Sequence, residues 1–464
     1  MSLSYGHIER MGFTDATNFE KLKKVKITGV STDTRKLSKG EVFFAIKGER
    51  FDGHDFVDVA FKKGAVACVV NSNWFVENKA RFKGKVLVAV EDTVKSLGRL
   101  AGVYRGDFSL PVIAVAGSNG KTTTKEMIAS VLSQKYKVLK SEGNLNNQIG
   151  VPLTLFKLKK THQVAVIEFG TNHFGEIWYL CEVARPNYGL ITNIGREHIE
   201  FFEDVEGVAR EELSLFDYLL EVDGFAFVNI DDEFIREVGK RFNNKMTFGF
   251  SNGADVKGEI LDVDELARFS FKVKFENRET ILKLKVPGEH IVSSGICAFA
   301  VGLKFGVPVS LMKKALQSYK PFSKRMEVLK VRGITIINDT YNANPDSVIM
   351  ALKTLSQMKC SGKKIVVLGD MLELGSYSRT AHEEIGRKVA EFGIDYFFAY
   401  GEAMRDAYKV ASDVLKHAMH FSDKDLLVYH IFEVAEKGDI ILVKGSRGMM
   451  MEQVVEKFIN KIRS

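Results

Sequence analysis

Apolar and polar positions follow a regular order along most of the chain. From about residue 25 to 90, short apolar runs such as "VFFAIKG", "VACVV" and "KVLVAV" alternate with Gly and Asp turns. From about residue 110 the pattern becomes strand, loop and helix, beginning with the apolar strand "PVIAVAG" and the amphipathic helix "TTTKEMIASVLSQK". Strands "VAVIEFG", "YGLITNIG" and "GFAFVNI" follow, with helical stretches between them. Apolar strands separated by helices predict a parallel sheet covered by helices on both faces.

The same alternation restarts after "YKPFSKRMEVL". The strands "ITIINDT", "KIVVLGD", "IDYFFAYG" and "DIILVKG" each precede a helical segment, which predicts a separate, Rossmann-like α/β domain. We therefore expect an α/β protein of three domains, covering residues 1–108, 109–320 and 321–464. The predicted boundaries lie near residues 108 and 321.

Composition narrows the class of protein. The chain has 464 residues, 45% of them apolar, and no apolar run approaches the roughly 18 to 20 residues that span a bilayer. The first residues, "MSLSYGHIERMGF", have no apolar core of signal-peptide length. Four widely spaced cysteines without a C-x-x-C pair argue against a disulfide scaffold or zinc ribbon and predict a reducing, cytoplasmic location. We expect no membrane insertion.

The net charge of +7 is thinly spread. Lys and Arg mostly alternate with Asp and Glu, and the densest clusters, "KLKKVK" and "KLKK", are short. This pattern is typical of a solvated face rather than of a nucleic-acid surface, although a mild positive excess would also suit small anionic substrates. We expect no nucleic-acid partner.

A short glycine-containing loop follows the strand "PVIAVAG". The common phosphate-binding pattern is G-x-x-x-x-G-K-[ST], but here Val115 stands where the first glycine should be and the nearest glycine is Gly117. Such a loop between a buried strand and a helix offers backbone N–H groups and a helix N-terminus to phosphate oxygens. An ordinary glycine turn is the alternative. We predict a nucleotide site in which Lys121 reaches the β- and γ-phosphates, Thr122 binds Mg²⁺, and the remaining contacts come from Gly117, Ser118, Asn119, Gly120 and Thr123.

Two further polar side chains follow predicted parallel strands. Glu168 ends "VAVIEFG", and His198 comes a few residues after "YGLITNIG". Each alone would more often be an ordinary surface residue. Because ligands of open parallel sheets gather at the carboxyl ends of strands, we expect both side chains to face the γ-phosphate and to help hold metal.

Together these motifs resemble those of the Mur ligases, ATP-dependent enzymes that form amide bonds in the peptidoglycan precursor. The family has the shortened loop "GSNGKT", and "GVSTDTRKL" and "KGERFDGHDF" match its UDP-sugar-binding domain. The strings "EGNLNNQIGVP", "EFGTNHFGEI", "NDTYNANPDS", "LGDMLELG" and "LVKGSRGMMME" match the remainder. Several are characteristic of the member that adds the terminal D-alanyl-D-alanine, and the D-N-P-R string of the neighbouring member is absent. The resemblance covers essentially the whole chain.

The resemblance implies a mechanism and a division of labour. ATP would phosphorylate the terminal carboxylate of a UDP-muramoyl tripeptide, and the amino group of D-alanyl-D-alanine would attack the resulting acyl phosphate. The N-terminal domain would bind the UDP-muramoyl peptide and the central domain ATP, while the C-terminal domain would bind the dipeptide and close on ATP. The implied cofactors are ATP and Mg²⁺, the implied partners are these small molecules, and we expect a monomer.

The resemblance also implies roles for individual residues. Lys121, Glu168 and His198 would be catalytic, with Glu168 as a metal ligand beside Thr122 and His198 at a second Mg²⁺. UDP would lie near Thr32, Asp33, Thr34 and Arg35. The muramoyl peptide would contact Asn144, Asn146 and Asn147. ATP would contact Arg325 and Asp339 of the last domain. The acceptor site would be flanked by Asn342, Asn344, Ser347, Lys444 and Arg447. Asp33 and Asn344 could instead be turn residues, and Arg325 a surface charge.

The sequence departs from the family pattern at two places. Family members typically carry a carbamoylated lysine that orients the second Mg²⁺, where "GVAREELSLF" has Glu212. We hypothesise that the Glu212 carboxylate replaces the carbamate, directly or through water; otherwise it is an exposed helical glutamate. In "PGEHIVSSG", His290 is kept, but Ile291 and Ser294 replace asparagines expected near adenine. Asn229, with Asp231, would then supply compensating contacts to the nucleotide.

Two other classes of function fit parts of the sequence. A P-loop switch or motor would hydrolyse ATP without small-molecule substrates, whereas a ligase would hold ATP almost idle until both substrates are bound. A nucleic-acid-binding protein would show steeply salt-dependent affinity. One nucleotide contacted by the loop and by Arg325 and Asp339 would also require the central and last domains to close together.

Overall fold

The computed structural model describes residues 3–321 and 323–463, which form three α/β units in chain order. Each unit is built on its own sheet: five strands in the first, nine in the second and six in the third among the described residues. The predicted three-domain α/β organisation is confirmed. The predicted boundaries near residues 108 and 321 fall between the sheets.

The first unit has a five-stranded sheet in the order β1-β5-β4-β3-β2, parallel except for the β1–β5 pair. Its strands are β1 (Asp15–Thr17), β2 (Gly29–Ser31), β3 (Glu41–Phe44), β4 (Ala67–Asn71) and β5 (Leu87–Val90). Its helices are α1 (Tyr5–Met11), α2 (Val57–Lys62), α3 (Ser72–Asn78) and α4 (Thr93–Arg105). Strands β3 to β5 are the three apolar runs identified from the sequence.

The second unit carries the nine-stranded sheet, in the order β14-β13-β12-β11-β10-β9-β6-β8-β7. Its strands are β6 (Val112–Ala116), β7 (Val138–Lys140), β8 (Val164–Glu168), β9 (Tyr188–Ile191), β10 (Phe225–Asn229), β11 (Lys245–Gly249), β12 (Val256–Val263), β13 (Phe269–Phe275) and β14 (Arg278–Lys283). Its helices are α5 (Lys121–Leu132), α6 (Gly150–Leu155), α7 (Glu176–Ala184), α8 (Ile199–Phe202), α9 (Val205–Glu221), α10 (Glu233–Gly239), α11 (Glu289–Lys304) and α12 (Val309–Ser318).

The predicted parallel sheet accounts for only part of this unit. Strands β6 to β12 pair in parallel, but β12, β13 and β14 form an antiparallel extension that the strand–helix alternation did not predict. Along β13, Phe269, Phe271, Val273 and Phe275 are buried and the intervening residues are not. This period of two is typical of an antiparallel strand with one solvated face.

The third unit has a sheet in the order β15-β16-β20-β17-β18-β19, parallel except for the β15–β16 pair. Its strands are β15 (Glu327–Val331), β16 (Ile334–Asp339), β17 (Lys364–Gly369), β18 (Tyr396–Tyr400), β19 (Ala418–Phe421) and β20 (Ile440–Lys444). Its helices are α13 (Pro345–Gln357), α14 (Ser378–Glu391), α15 (Met404–Ser412), α16 (Lys424–Val434) and α17 (Glu452–Arg463).

Apolar packing is continuous between the second and third units. One cluster of buried side chains includes Ile113 of β6, Phe299 of α11, Leu352 of α13 and Val366 of β17. Glu168 at the end of β8 and Asp339 and Lys444 at the ends of β16 and β20 line one cleft, as do residues that follow β6 and β9. Among the described residues, none of the helices has the length and apolar character needed to cross a membrane.

Candidate active site

The cleft between the units contains a cavity of about 560 Å³ with lining residues from all three. Most of the residues singled out from the sequence line it: Ser118, Asn119, Gly120, Lys121, Thr122, Thr123, Asn144, Asn146, Asn147, Glu168, His198, His290, Arg325, Asp339, Asn342, Asn344, Ser347, Lys444 and Arg447. The first unit contributes Ile46, Lys47, Gly48 and Val94. Residues that are distant in the sequence therefore share one site.

The glycine-containing loop runs from the end of β6 into α5, as predicted. Gly117 has φ +112°, and a β-carbon there would lie 2.4 Å from Thr192 Oγ1 and 2.6 Å from the Thr192 backbone nitrogen. Because the backbone cannot move away from both atoms, this position requires glycine. Gly120, at φ +80°, sits immediately before the first residue of α5. The loop therefore passes close to β9 and presents the N-terminus of α5 to the cavity.

The segment after β9 holds the loop from the other side. Asn193 exchanges two hydrogen bonds with the Asn119 backbone: its side-chain oxygen accepts from the Asn119 N–H at 3.1 Å, and its amide donates to the Asn119 carbonyl at 2.9 Å. The Gly195 N–H donates to Ser118 Oγ at 2.8 Å. The loop is thus braced by residues 193–195.

Lys121 lies among carboxylates. Its Nζ is 3.2 Å from Glu197 Oε1 and 4.0 Å from Glu212 Oε1. Burial alone would lower the pKa of Lys121, but the charges of Glu197, Glu212 and Glu168 outweigh it and raise the pKa above its ordinary value. Lys121 is therefore a permanently charged group at the end of the loop. Glu197 was not identified from the sequence, although it directly precedes His198.

Glu212 is fully buried beneath the loop and does not line the cavity. Its Oε2 accepts a hydrogen bond of 2.7 Å from the Gly117 N–H, while its Oε1 has no hydrogen-bond partner among the described residues. Burial raises the pKa of Glu212 to about 8, Lys121 opposes this shift, and Glu197 adds to it. The alternative of an exposed helical glutamate does not hold. Its proposed role near metal stays a prediction.

Glu168 is buried at the end of β8 and faces Thr122. Its Oε1 accepts hydrogen bonds from Thr122 Oγ1 at 3.1 Å and from Asn146 Nδ2 at 3.0 Å. Its Oε2 has no hydrogen-bond partner within the described chain, although Lys125 Nζ lies 3.2 Å away. Lys125 is itself fully buried and was missed by the sequence analysis.

These oxygen donors fit a magnesium ion at the loop. A hydroxyl and a buried carboxylate stand side by side, and one carboxylate oxygen accepts no hydrogen bond from the described residues although Lys125 lies beside it. Mg²⁺ is commonly held by one or two carboxylates, with phosphate and water oxygens completing its shell. In the described part of the chain, no group of three or more His, Cys, Asp or Glu side chains is arranged to hold a metal without such help. Thr122 and Glu168 are therefore the candidate protein ligands.

His198 precedes α8 with a left-handed backbone, at φ 51°. Its Nδ1 lies 2.5 Å from Glu373 Oε2 of the third unit, and hydrogen bonding to His198 lowers the pKa of Glu373. The structure thus places His198 in the cavity but uses one ring nitrogen for an inter-domain contact. Its role at a second Mg²⁺ stays a prediction.

The third unit contributes charges and helix-capping groups to the cavity. Lys444 Nζ donates to Asp339 Oδ2 at 2.6 Å and to the Asn342 carbonyl at 2.9 Å. The Arg325 guanidinium lies 3.8 Å from the centroid of the Tyr341 ring. These contacts hold Asp339, Lys444 and Arg325 on the side of the cleft that faces the phosphate loop.

Asn344 and Ser347 form a capping box at the start of α13. The sequence left open that Asn344 is a turn residue; the structure places it instead as the N-cap of α13, where its side chain accepts a hydrogen bond from the Ser347 N–H. However, Asn344 Nδ2 also donates to Asn119 Oδ1 at 3.0 Å, which joins α13 directly to the phosphate loop.

Asn229 lines a smaller cavity of about 120 Å³ beside the loop. Thr124, Asn193, His290, Ser294 and Cys297 also line it. Asn229 is internally paired: it donates to the Thr192 carbonyl at 2.8 Å and accepts from the Asp231 N–H at 3.1 Å. Asp231 instead binds the backbone N–H groups of Phe250 and Ser251. The proposed compensation by Asp231 has no support in this arrangement.

Thr32, Asp33, Thr34 and Arg35 form a turn after β2 and do not line the large cavity. Arg35 binds Asp33 through its side chain, with Nη2 and Oδ2 2.8 Å apart, and lowers the pKa of Asp33 to about 2. Lys63 Nζ donates to the Thr34 carbonyl at 2.8 Å. Their predicted contact with uridine diphosphate stays a prediction.

Comparison with known proteins agrees with this arrangement. Three family models match the chain: Mur ligase family, catalytic domain, over residues 26–105; Mur ligase middle domain, over 115–302; and Mur ligase, glutamate ligase domain, over 324–447. The chain is 38% identical over 440 residues to UDP-N-acetylmuramoyl-tripeptide–D-alanyl-D-alanine ligase of Bacillus subtilis, covering 93% of each chain. It is 35% identical to the Escherichia coli protein of the same name, with 95% and 96% coverage.

Solved structures show the same fold across nearly the whole chain. The crystal structure of MurF from Acinetobacter baumannii matches with a TM-score of 0.87 and 31% identity, covering 98% of both chains. The structure of MurF ligase from Thermotoga maritima in complex with ADP matches with a TM-score of 0.82 and 28% identity, covering 94% of this chain and 98% of that one. On the sequence and on the structure alike, this chain belongs to the Mur ligase family.

Proposed function

We propose that this chain is the ATP-dependent ligase that adds D-alanyl-D-alanine to UDP-N-acetylmuramoyl-tripeptide, releasing ADP and phosphate in peptidoglycan precursor synthesis. The observation that carries the proposal is the similarity of the whole chain to ligases of that name, together with a phosphate loop that faces residues of all three units in one cavity. The ADP bound to the Thermotoga maritima relative supports the assignment of the loop to ATP.

The chemistry follows from the poor reactivity of a carboxylate. Its negative charge resists a nucleophile, and oxide is a very poor leaving group. Transfer of the γ-phosphoryl group to the terminal carboxylate of the tripeptide gives an acyl phosphate, in which both problems are removed. The amino group of D-alanyl-D-alanine then attacks the acyl carbon, the C–O bond to phosphate breaks, and the amine loses a proton as the amide forms.

The residues of the cavity suit these two steps. Phosphoryl transfer depends mainly on alignment and charge neutralisation, which Lys121 and the loop N–H groups would provide. When bound at Thr122 and Glu168, Mg²⁺ would neutralise charge on the β- and γ-phosphates. Arg325 and Asp339 would contact the nucleotide from the third domain, and Asn342, Asn344, Ser347, Lys444 and Arg447 would surround the dipeptide.

The remaining assignments belong to the same proposal. The division into domains 1–108, 109–320 and 321–464 would give the UDP-muramoyl peptide, ATP and the dipeptide one domain each. The cytoplasm supplies ATP and keeps thiols reduced, and Cys68, Cys181, Cys297 and Cys360 are all unpaired. We therefore place the enzyme in the cytoplasm. We also propose that it is a monomer, which size-exclusion chromatography with light scattering would check.

Phosphate release measured with and without D-alanyl-D-alanine tests the function. We expect release to require both the UDP-muramoyl tripeptide and the dipeptide, with one phosphate per amide bond formed. Vigorous release from ATP alone would identify a switch or motor instead. A small panel of UDP-muramoyl peptides and dipeptide amines would then define which acceptor and which amine are preferred.

A further inference from the structure

The segment after β9 contacts two partners at once. Toward the phosphate loop, Asn193 and Gly195 hydrogen-bond to Asn119 and Ser118, and Glu197 pairs with Lys121. Between these contacts, Arg196 points away from the loop and into the third unit. The segment 193–198 therefore lies between the glycine-containing loop after β6 and the third unit.

Arg196 makes a dense set of charged contacts with the third unit. Its backbone N–H donates to Asp346 Oδ2 at 2.7 Å, and its Nε and Nη2 donate to Asp346 Oδ1 at 2.8 and 2.6 Å. Its Nη1 donates to Tyr377 Oη at 2.9 Å and to Glu384 Oε2 at 2.5 Å. Forked, charge-assisted contacts of this kind fix geometry more firmly than a single ion pair.

The contact is also sterically close. A β-carbon on Gly195 would lie 2.8 Å from Asp346 Oδ2 and 3.4 Å from Asn119 Nδ2. Glycine at this position lets the Asp346 carboxylate approach the backbone of the 193–198 segment. The side chains of Arg196 and Asp346 are only 21% and 30% exposed, so solvent screens their interaction less than that of a surface pair.

Asp346 belongs to the same turn as the predicted acceptor residues. It is the second residue of α13, whose cap is Asn344 and whose capping box includes Ser347. Asn344 reaches Asn119 of the phosphate loop at 3.0 Å. Contacts that fix Asp346 therefore also fix the first turn of α13. They keep Asn344 and Ser347 beside the glycine-containing loop that follows β6.

We infer that Arg196 is a positioning residue for the second half-reaction: it fixes the amine-binding turn of the C-terminal domain over the acyl phosphate. This inference rests on the proposed ligase function and identifies how its two substrates are aligned. Without the Arg196 contacts, the acyl phosphate would still form, but the dipeptide amine would be misplaced. Water would then attack the acyl carbon, the C–O bond to phosphate would break, and the original carboxylate, free phosphate and a proton would result.

The test compares Arg196→Ala with Arg379→Ala as a matched control. Arg379 lies on α14, as Glu384 does, but it is 78% exposed and pairs with Glu383 of its own helix, at 2.9 Å. For Arg196→Ala we expect the KM for D-alanyl-D-alanine to rise by about tenfold or more, and the ratio of phosphate released to amide formed to rise clearly above one. The KM for ATP should change far less. Arg379→Ala should match the wild-type enzyme in all three quantities.

Two further variants keep the inference testable if Arg196→Ala folds poorly. Arg196→Lys keeps the charge but not the forked geometry and should recover part of the coupling. Asp346→Asn should raise the phosphate-to-amide ratio while its melting temperature stays well above the assay temperature. A ratio that stays at one in both Arg196→Ala and Asp346→Asn would overturn the inference, as would an equal rise in the KM values for ATP and dipeptide. A wild-type enzyme that forms no amide at all would instead reject the proposed function.

Discussion

The carboxylate of Glu212 supports the phosphate loop from below, because its Oε2 accepts a hydrogen bond of 2.7 Å from the backbone N–H of Gly117. Gly117 directly follows the last residue of β6, where the loop turns away toward α5. The shortened loop is therefore anchored by a side chain from α9, nearly one hundred residues later in the chain. A carboxylate at this position serves the loop whether or not it also influences a metal.

Replacing Glu212 should separate the anchoring role from the charge. Glu212→Ala leaves the Gly117 N–H buried without a partner, and we expect a loss of about 1–3 kcal/mol in the free energy of unfolding. Glu212→Gln keeps an oxygen acceptor and should lose less. Chemical denaturation without ligand would measure both, with Glu206→Ala, an exposed glutamate of the same helix, as the control. Equal losses for Ala and Gln would mean that the hydrogen bond to Gly117 contributes little.

If the Glu212 carboxylate replaces a carbamoylated lysine, turnover should not depend on carbon dioxide. We expect the same rate of ADP formation in buffers depleted of bicarbonate and in buffers supplemented with bicarbonate or chloride. The physical reason is that Glu212 supplies its carboxyl oxygens without any reaction with carbon dioxide. Stimulation by either anion would show that the Glu212 carboxyl group does not replace the carbamate, and that another side chain is carbamoylated instead.

Lys121 should affect stability and catalysis in different ways. Lys121→Ala removes the cation that neutralises Glu197 and Glu212, and breaking a buried pair by removing one partner typically costs about 3–5 kcal/mol. We expect a lower melting temperature and a loss of amide formation of about two orders of magnitude or more. In the double variant with Glu197→Gln, the melting temperature should recover in part and the activity should not. Recovery of both would assign Lys121 a purely structural role.

The secondary structure around the phosphate-binding loop and the three-domain organisation could be predicted from the sequence, but the contacts between domains could not. The strand–loop–helix alternation located β6, β8 and β9, and the rule that ligands gather at carboxyl ends brought Gly117, Glu168 and His198 together. Arg196, Glu373 and Asn193 carried no local signal, because their partners come from other domains or from distant strands. The antiparallel strands β12 to β14 were not predicted. Their alternation of apolar and polar residues was not distinguished from the continuous apolar runs that indicate the parallel strands before them.

His290 predicts how stability depends on pH. His290 is only partly exposed, at the wall of the two cavities, and the resulting loss of solvation lowers its pKa to about 4, against 6.5 for an ordinary imidazole. Between these values the unfolded chain binds a proton that the folded chain does not, so stability falls as the pH falls from 6.5 to 4. The contribution is about 3 kcal/mol at most. The melting temperature of His290→Gln should therefore decline less on acidification than that of the wild type. His173→Gln, whose imidazole is 63% exposed, should follow the wild-type curve.

The small cavity beside the loop should select the nucleotide base. It is lined by Thr124 and Ser294, which hydrogen-bond to each other through their hydroxyl groups at 2.9 Å, and it opens next to Gly120. Ser294→Leu would fill part of its 120 Å³ and should raise the KM for ATP by about tenfold, while the KM for the dipeptide stays unchanged. Ser294→Ala keeps the cavity open and is the matched control. A panel of nucleoside triphosphates should show strict ATP preference in the wild type and weaker preference in Ser294→Leu. Equal KM values for ATP in the two variants would place the base elsewhere in the cleft.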